Sequence, residues 1–395
     1  MKFNCIISIF LFVAGVFAYQ PAEAQETVFA EGMESTVIHH FPSKTQKYVG
    51  CPSICKLPNW DYLASHSEFG KGTTEFRSGQ THIYTSSDEG KTWKKISRID
   101  GQFWSNLFVH DGCVYIMGTN KHHGNFIIRK SEDNGVTWTI PYNDKTGLIA
   151  EGEYHTAPVP VLYYKGRIWR AVEYATSKVT VWGERYSPMV VSASVKSDLL
   201  DRKSWRISNR LPWDGTYLDG NFRAWIEGNV VLTRDGELVD YLRVNTAKPD
   251  KEFAAIAKIG KNGRSLSFDP SDGFVEMPGG AKKFTIRYDE ATDRYITLAS
   301  MDDGSHPELN PSGIRNRLVL MSSYDLKKWD VHETLIYNEE VRHHGFQYVD
   351  WMIDGNDLIF VCRTSDDEEN GQAKNNHDAN YLTFHRIKDY KQHLK

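Results

Sequence analysis

The segment Glu153-Tyr154-His155-Thr-Ala-Pro-Val-Pro160, followed by Gly166-Arg-Ile-Trp-Arg170-Ala-Val-Glu173, sets a phenol, an imidazole, two guanidiniums and two carboxylates around one strand pair. Three further clusters share this character: Lys121-His122-His123-Gly124, Asn221-Phe-Arg223-Ala-Trp-Ile-Glu227-Gly-Asn229, and Arg342-His343-His344-Gly-Phe-Gln-Tyr348 with Asp350, Arg363, His377, Asp378 and Asn380 beyond it. Each cluster alone also reads as an ordinary salt-bridged strand or a solvated turn. Arg170, Arg223, Arg243, Arg342 and Arg363 can pair bidentately with a carboxylate, and aromatic rings can cover a sugar face, so an acidic sugar is the natural ligand. Hydrolysis of its linkage would need two flanking carboxylates or a Tyr/Glu pair. β-Elimination would instead need a cation on the uronate carboxylate, to acidify the C5 proton, and a Tyr or His to take that proton and protonate the leaving oxygen. Abundant Tyr, His and Arg with few convergent acid pairs favours elimination, with Tyr154, His155 and Arg170 at its centre.

Such clusters act together only if a fold brings them to one place. Two octets, Ser86-Ser-Asp88-Glu-Gly90-Lys-Thr-Trp93 and Ser131-Glu-Asp133-Asn-Gly135-Val-Thr-Trp138, fit Ser-x-Asp-x-Gly-x-x-Trp, and each follows an alternating strand-like run. These Asp-boxes suit a hairpin corner: the aspartate accepts from turn amides, the glycine takes a positive φ and the tryptophan covers the seam to a neighbouring unit. Their spacing fits a repeated four-stranded blade. A degenerate copy, Ser323-Tyr-Asp325-Leu-Lys-Lys-Trp329, lacks the glycine. The predicted fold is all-β, a single seven-bladed β-propeller with six blades as the alternative. Closure of the ring would gather the ends of the innermost strands at a shared mouth, where the site should lie.

Composition agrees: 13% aromatic residues, 30 Gly and 11 Trp suit a turn-rich all-β protein. A net charge of −4 argues against a nucleic-acid or polyanion binder while leaving room for a locally basic pocket. Residues 1–24 read as a secretory signal, with Lys2, an apolar run from Cys5 to Ala18 and an Ala22-Glu-Ala24 cleavage site, so residues 25–395 form the mature propeller, secreted to the periplasm without a membrane anchor. Cys51, Cys55, Cys113 and Cys362 lack zinc-type spacing, and Cys51 and Cys55, about 13 Å apart on a strand, are too distant to bridge. Buried thiols are expected, with one disulfide open to Cys113.

The boxes, Tyr154-His-Thr-Ala-Pro-Val-Pro160, Gly166-Arg-Ile-Trp-Arg-Ala171, Trp225-Ile-Glu-Gly-Asn-Val230, Pro278-Gly-Gly-Ala-Lys-Lys-Phe284 and Arg342 to Asp350 resemble secreted, sialidase-like propellers of gut Bacteroidetes. Closest are glycoside hydrolase family 145 and polysaccharide lyase family 42, which act on rhamnose-α-1,4-glucuronate caps of arabinogalactan. True sialidases carry an Arg-Ile-Pro element that His39-His-Phe-Pro-Ser43 lacks. The family 145 rhamnosidases use one histidine before the first Gly-x-Pro-Ser strand, where Lys44 to Gly50 has none. The resemblance therefore implies a lyase in which Tyr154, His155 or His123, and Arg170 are catalytic. Arg223, Glu227, Asn229, Arg243, Lys283, Arg342 and His344 are the substrate-binding candidates. The implied partner is an acidic plant glycan, met by a monomer. No cofactor or catalytic metal is required; a structural calcium ion is allowed by the resemblance, although no EF-hand-like loop is present.

Overall fold

The computed structural model describes residues 26–247, 251–369 and 371–394; the secretory-signal segment 1–24 lies outside them. The fold is an all-β propeller. Successive antiparallel strands build radial blades, and the pairing of those strands fixes their number. Blade 1 comprises Lys47–Lys56, Tyr62–Gly70, Gln80–Ser86 and Lys94–Asp100. Blade 2 runs Phe103–His110, Cys113–Thr119 and Gly124–Ser131, edged by the start of Leu148–His155. The end of that last strand pairs instead with Arg167–Ala175, so one eight-stranded sheet divides into blades 2 and 3. Blade 3 continues through Tyr186–Ser194 and Trp205–Ile207. Blade 4 holds Phe222–Leu232, Leu238–Thr246 and Phe253–Ile259, and blade 5 holds Thr285–Asp289, Arg294–Ser300, Arg317–Ser323 and Asp330–Tyr337. Blade 6 contains Gly345–Asp354, Asp357–Ser365 and Tyr381–Ile387, and its outer strand is Glu34–His40 from the other end of the chain. The pairing of the described strands thus groups them into six blades, the count held as the alternative to seven.

The apolar core lies between blades, because each twisted sheet is covered on both faces by its neighbours. Phe126 and Met117 of blade 2 meet Tyr154, Ile168 and Met189 of blade 3; Val49 and Ile54 of blade 1 meet Val361 and Phe384 of blade 6. Buried polar side chains tie every seam close to the axis. Leu107 N–H donates to Ser53 Oγ at 2.9 Å, Arg170 Nε to Asn106 Oδ1 at 2.7 Å, and Glu227 N–H to Glu173 Oε1 at 2.7 Å. Ile286 N–H donates to Asn229 Oδ1 at 3.0 Å, Thr285 Oγ1 to the Val349 carbonyl at 2.8 Å, and Ile54 N–H to Asp350 Oδ2 at 3.1 Å. Taken in order, these bonds step from blade 1 around to blade 6 and back.

The two boxes have the same geometry. Asp88 Oδ1 accepts from Ser86 Oγ at 2.8 Å and Thr92 N–H at 2.9 Å; Asp133 Oδ1 accepts from Ser131 Oγ at 2.7 Å and Thr137 N–H at 2.9 Å. Gly90, with φ +91°, lies against Phe384 of blade 6, where a Cβ would fall 2.2 Å from the ring. The corner therefore needs glycine both for its φ and for the close approach. In the degenerate third box Leu326 takes the left-handed position with φ 65°. Cys51, Cys55, Cys113 and Cys362 are all free thiols.

Candidate active site

Four innermost strands break register near one end of the channel: between Gly50 and Ser53, Phe103 and Asn106, Ile226 and Asn229, and Gln347 and Asp350. In each β-bulge one residue adopts a left-handed backbone: Cys51 (φ 35°), Trp104 (45°), Glu227 (59°) and Tyr348 (55°). A bulge interrupts the two-residue alternation and re-aims a side chain, and a left-handed bulky residue costs about 1–2 kcal/mol that the surroundings must hold. All four of these residues line one cavity of about 510 Å³, together with Phe69, His122, His155, Trp182, Tyr186 and three arginines.

Glu227, 3% exposed, sits at the centre of the charge pattern. Its Oε2 accepts from Arg243 Nη1 at 2.9 Å and its Oε1 from the Tyr348 hydroxyl at 2.8 Å. Burial pushes the Glu227 carboxyl up, but the charge and hydrogen bond of Arg243, with help from His155 and Tyr348, hold it below the usual range. Burial, then the Glu227 charge, push the Tyr348 phenol up, so it is a neutral donor at rest. Arg315 and Arg363 complete the wall. Burial and repulsion from Arg243 bring Arg315 down to about 10. The Arg363 guanidinium lies 4.7 Å over the Phe69 ring and 4.9 Å over Tyr348, and its buried Nε has no hydrogen-bond partner among the described residues. Three guanidiniums around the Glu227 carboxylate leave this side of the cavity cationic and complementary to an anionic ligand. On the facing side, His155 Nδ1 lies 3.2 Å from Glu173 Oε2, while Glu173 Oε1 takes the Glu227 amide. Burial holds His122 at about 3 and His123 at about 2, keeping both imidazoles neutral.

Of the residues expected from sequence, His155, Glu227, Arg243 and Arg363 line this cavity, with the cluster residues His122, Tyr348 and His377, and His123 lies behind its wall with Nε2 3.2 Å from the Tyr186 hydroxyl. The others sit elsewhere. Tyr154 precedes His155 on one strand and so faces the opposite way, into the blade 2 to blade 3 core, with its ring 5.2 Å from Tyr174 and 6.1 Å from Phe126. Arg170 is fully buried as a seam clamp, donating to Asn106, to the Ala157 carbonyl at 2.9 Å and to the Ala171 carbonyl at 3.2 Å. Asn229 and Lys283 are likewise seam residues, Lys283 Nζ holding the Val349 carbonyl at 2.6 Å while burial lowers it to about 8. Arg223 is exposed and caps the carbonyls of Gly220 and Phe222; Arg342 is exposed on a turn. His344 is buried between Glu340 and Asp366. Within the cavity the phenol is that of Tyr348 and the guanidiniums are those of Arg243, Arg315 and Arg363. Tyr348 closes the Arg342-to-Tyr348 cluster of the sequence, whereas Arg315, Trp104 and Tyr186 belong to none of the sequence clusters; the tetrad Gln347-Tyr348-Val349-Asp350, parallel to Ile226-Glu227-Gly228-Asn229, marks the bulge.

Solved propellers share this architecture. A Penicillium chrysogenum α-L-arabinanase complexed with arabinobiose is similar over 93% of this chain and 99% of its own, with a TM-score of 0.55 at 15% identity. A Fusarium graminearum α-L-arabinofuranosidase mutant bound to an iminosugar inhibitor matches over 92% and 99%, with a TM-score of 0.57 at 13% identity. A Trypanosoma rangeli sialidase in complex with sialic acid gives a TM-score of 0.59 at 13% identity over 92% of this chain, which spans 60% of the sialidase. At these identities the likeness is one of fold. No family model matches the chain, and no curated protein matches it.

Proposed function

We propose that this propeller is a carbohydrate-active enzyme that cleaves a glycan at an acidic sugar by hydrolysis. The observation that carries the reading is the Tyr348 hydroxyl, 2.8 Å from a buried Glu227 carboxylate and flanked by Arg243, Arg315 and Arg363. Glu227 takes the phenolic proton, the Tyr348 oxygen attacks the anomeric carbon, and His155, positioned 3.2 Å from Glu173, protonates the leaving oxygen. Water, giving its proton to His155, then cleaves the glycosyl-tyrosine while Glu227 returns its proton to the Tyr348 oxygen. The arginines hold the sugar carboxylate, and Trp104, Trp182 and Tyr186 supply ring faces. The structural neighbours, named for arabinanase, arabinofuranosidase and sialidase activities, support glycan chemistry in general.

β-Elimination at a rhamnosyl-glucuronate cap is the second reading. It is favoured by the same cationic wall, which would neutralise a uronate carboxylate between Tyr348 and His155. A periplasmic location rests on the leader-like residues 1–24 and belongs to the same proposal. The test is to incubate the mature protein with arabinogalactan bearing terminal rhamnosyl-glucuronate, and separately with sialylated and glucuronylated oligosaccharides, following free sugar and ultraviolet absorbance together. Released sugar without absorbance supports hydrolysis. Sugar with rising absorbance establishes elimination and overturns the nucleophilic role of Tyr348. Binding of these glycans without any product overturns catalysis and leaves a lectin.

A further inference from the structure

A second cluster at the rim of the cavity has a different chemistry. Glu75 lies in the connection between Tyr62–Gly70 and Gln80–Ser86 of blade 1, and His122 and His123 form the turn before Gly124–Ser131 of blade 2. The potential ligand atoms of these three side chains all lie within 4.8 Å of one another. Glu75 and His122 also line the sugar cavity. His123 supplies the independent observation. Its ring is 7% exposed and its Nε2 is engaged with the Tyr186 hydroxyl at 3.2 Å, while its buried Nδ1 has no hydrogen-bond partner and points towards Glu75 Oε2 at 3.9 Å. With Nε2–H donating to Tyr186, the Nδ1 lone pair and a carboxylate oxygen face each other, two acceptors with nothing between them. A cation placed there satisfies both. Arg185, whose Nη1 is 3.7 Å from Glu75 Oε1, reaches only the other carboxylate oxygen.

We propose that Glu75, His122 and His123 bind one divalent transition-metal ion of the zinc type at the rim of the cavity. Two imidazoles and one carboxylate form a donor set that suits zinc, whereas calcium and magnesium take oxygen ligands. Bond lengths of about 2.0–2.2 Å require the three donors to draw together by roughly 1 Å. Glu75 can supply that movement because its side chain is 48% exposed on a connecting loop. Three protein ligands leave a fourth position open on the cavity side, available to water or a sugar oxygen. The Tyr186 hydroxyl orients His123, as outer partners of metal-bound histidines do.

The test uses the full mature chain stripped with a chelator, titrated with Zn²⁺ by calorimetry and with Co²⁺ by visible absorption, in the absence of any glycan. The expected result is one equivalent bound, with a cobalt spectrum of low-symmetry nitrogen and oxygen ligation. His122→Ala and Glu75→Gln, each checked for native circular dichroism, should weaken binding at least about tenfold, as expected for loss of a ligand. His306→Ala, on a distant exposed loop, should leave it unchanged. Failure of the wild-type chain to bind one equivalent at about 100 μM ion, far above the range of built zinc sites, overturns the site. Binding that survives both ligand substitutions also overturns it, identifying adventitious surface histidines. Because no turnover is read, this outcome is independent of whether the sugar chemistry proposed above is correct.

Discussion

Replacing Tyr348 by Phe removes one oxygen atom and leaves the ring, so its structural and chemical consequences can be separated. The ring keeps its place under the Arg363 guanidinium, 4.9 Å away, and Glu227 keeps Arg243 at 2.9 Å. What disappears is a 2.8 Å hydrogen bond to a charged acceptor, a contact worth about 1.5–3 kcal/mol. In a chain of this size such a loss lowers the melting temperature by about 2–4 °C. Loss of a nucleophile is far more severe: comparable deletions cost on the order of 10⁴ to 10⁶ in turnover. A fall of at least about 10³-fold, equivalent to about 4 kcal/mol of barrier, is therefore expected in kcat on whichever acidic glycan the wild-type chain cleaves. Glycan affinity, measured by calorimetry on the same variant, should change by less than about tenfold, since the arginines remain. A Phe variant that keeps more than about a tenth of wild-type turnover while losing the expected few degrees would show that Tyr348 only braces Glu227.

Substituting Arg315 by Lys removes a planar fork from the carboxylate-binding wall, and should raise KM about 10- to 100-fold with a smaller change in kcat, read from steady-state kinetics on an acidic glycan. Arg170→Met should behave in the opposite way: as a fully buried clamp between blades 2 and 3, its loss strands the Asn106 and Ala157 acceptors and lowers stability by about 3–5 kcal/mol in chemical denaturation, with activity falling only as folded protein is lost. His344 is raised above its ordinary value: burial opposes this, but Asp366 and Glu340 more than offset it. Its stabilising contribution is present in full below the unfolded-state value near 6.5 and disappears as pH rises through the raised folded value, so the stability gap between wild type and His344→Gln should be widest near pH 6 and close towards pH 9. Glu68, lowered to about 2 chiefly by its hydrogen bond to His82, works in reverse. Its contribution is present above about 4.5 and is lost as pH falls towards 2, so Glu68→Gln should destabilise the chain at pH 7 and leave it unchanged in acid-unfolding experiments near pH 2.

The Asp-boxes made the propeller legible because every part of their function is local: a side chain, the amides four residues on, and a glycine at the corner. Blade count was less legible, since Glu34–His40 completes blade 6 from the far end of the sequence and Leu148–His155 is shared between blades 2 and 3, so dividing length by a blade period overcounts. The site was legible in part. His155, Glu227, Tyr348 and Arg363 lie in clusters whose polarity stood out, Arg243 among the arginines able to pair with a carboxylate, and the structure brings them to one cavity. Tyr154 and Arg170 stood out equally, yet strand alternation turns one into a seam and burial makes the other a clamp. Polarity at a strand end does not distinguish a mouth residue from a seam residue; the one-residue phase shift of a bulge does. That shift has a trace in sequence, because each bulge residue is followed two positions later by a small polar side chain: Cys51 by Ser53, Trp104 by Asn106, Glu227 by Asn229 and Tyr348 by Asp350.

This pairing explains how a strained backbone can hold the cavity side chains in place. In every bulge the left-handed residue enters the cavity, while the residue two positions on enters a seam and bonds a neighbouring blade. The cost of each unusual φ, about 1–2 kcal/mol, is thus opposed at close range by a buried hydrogen bond that forms only when the ring is closed. Tyr348 comes from blade 6 and Glu227 from blade 4, so the 2.8 Å bond between them exists only because the intervening blade 5 is clamped on both sides, by Asn229 to Ile286 and by Thr285 to Val349. Closure of the propeller therefore fixes the site geometry: errors in strand register would separate the phenol from its base, and the seam bonds penalise such errors before any ligand arrives. A site assembled in this way needs little reorganisation on binding, which is the condition under which fixed guanidiniums and a preset proton acceptor contribute most to a transition state.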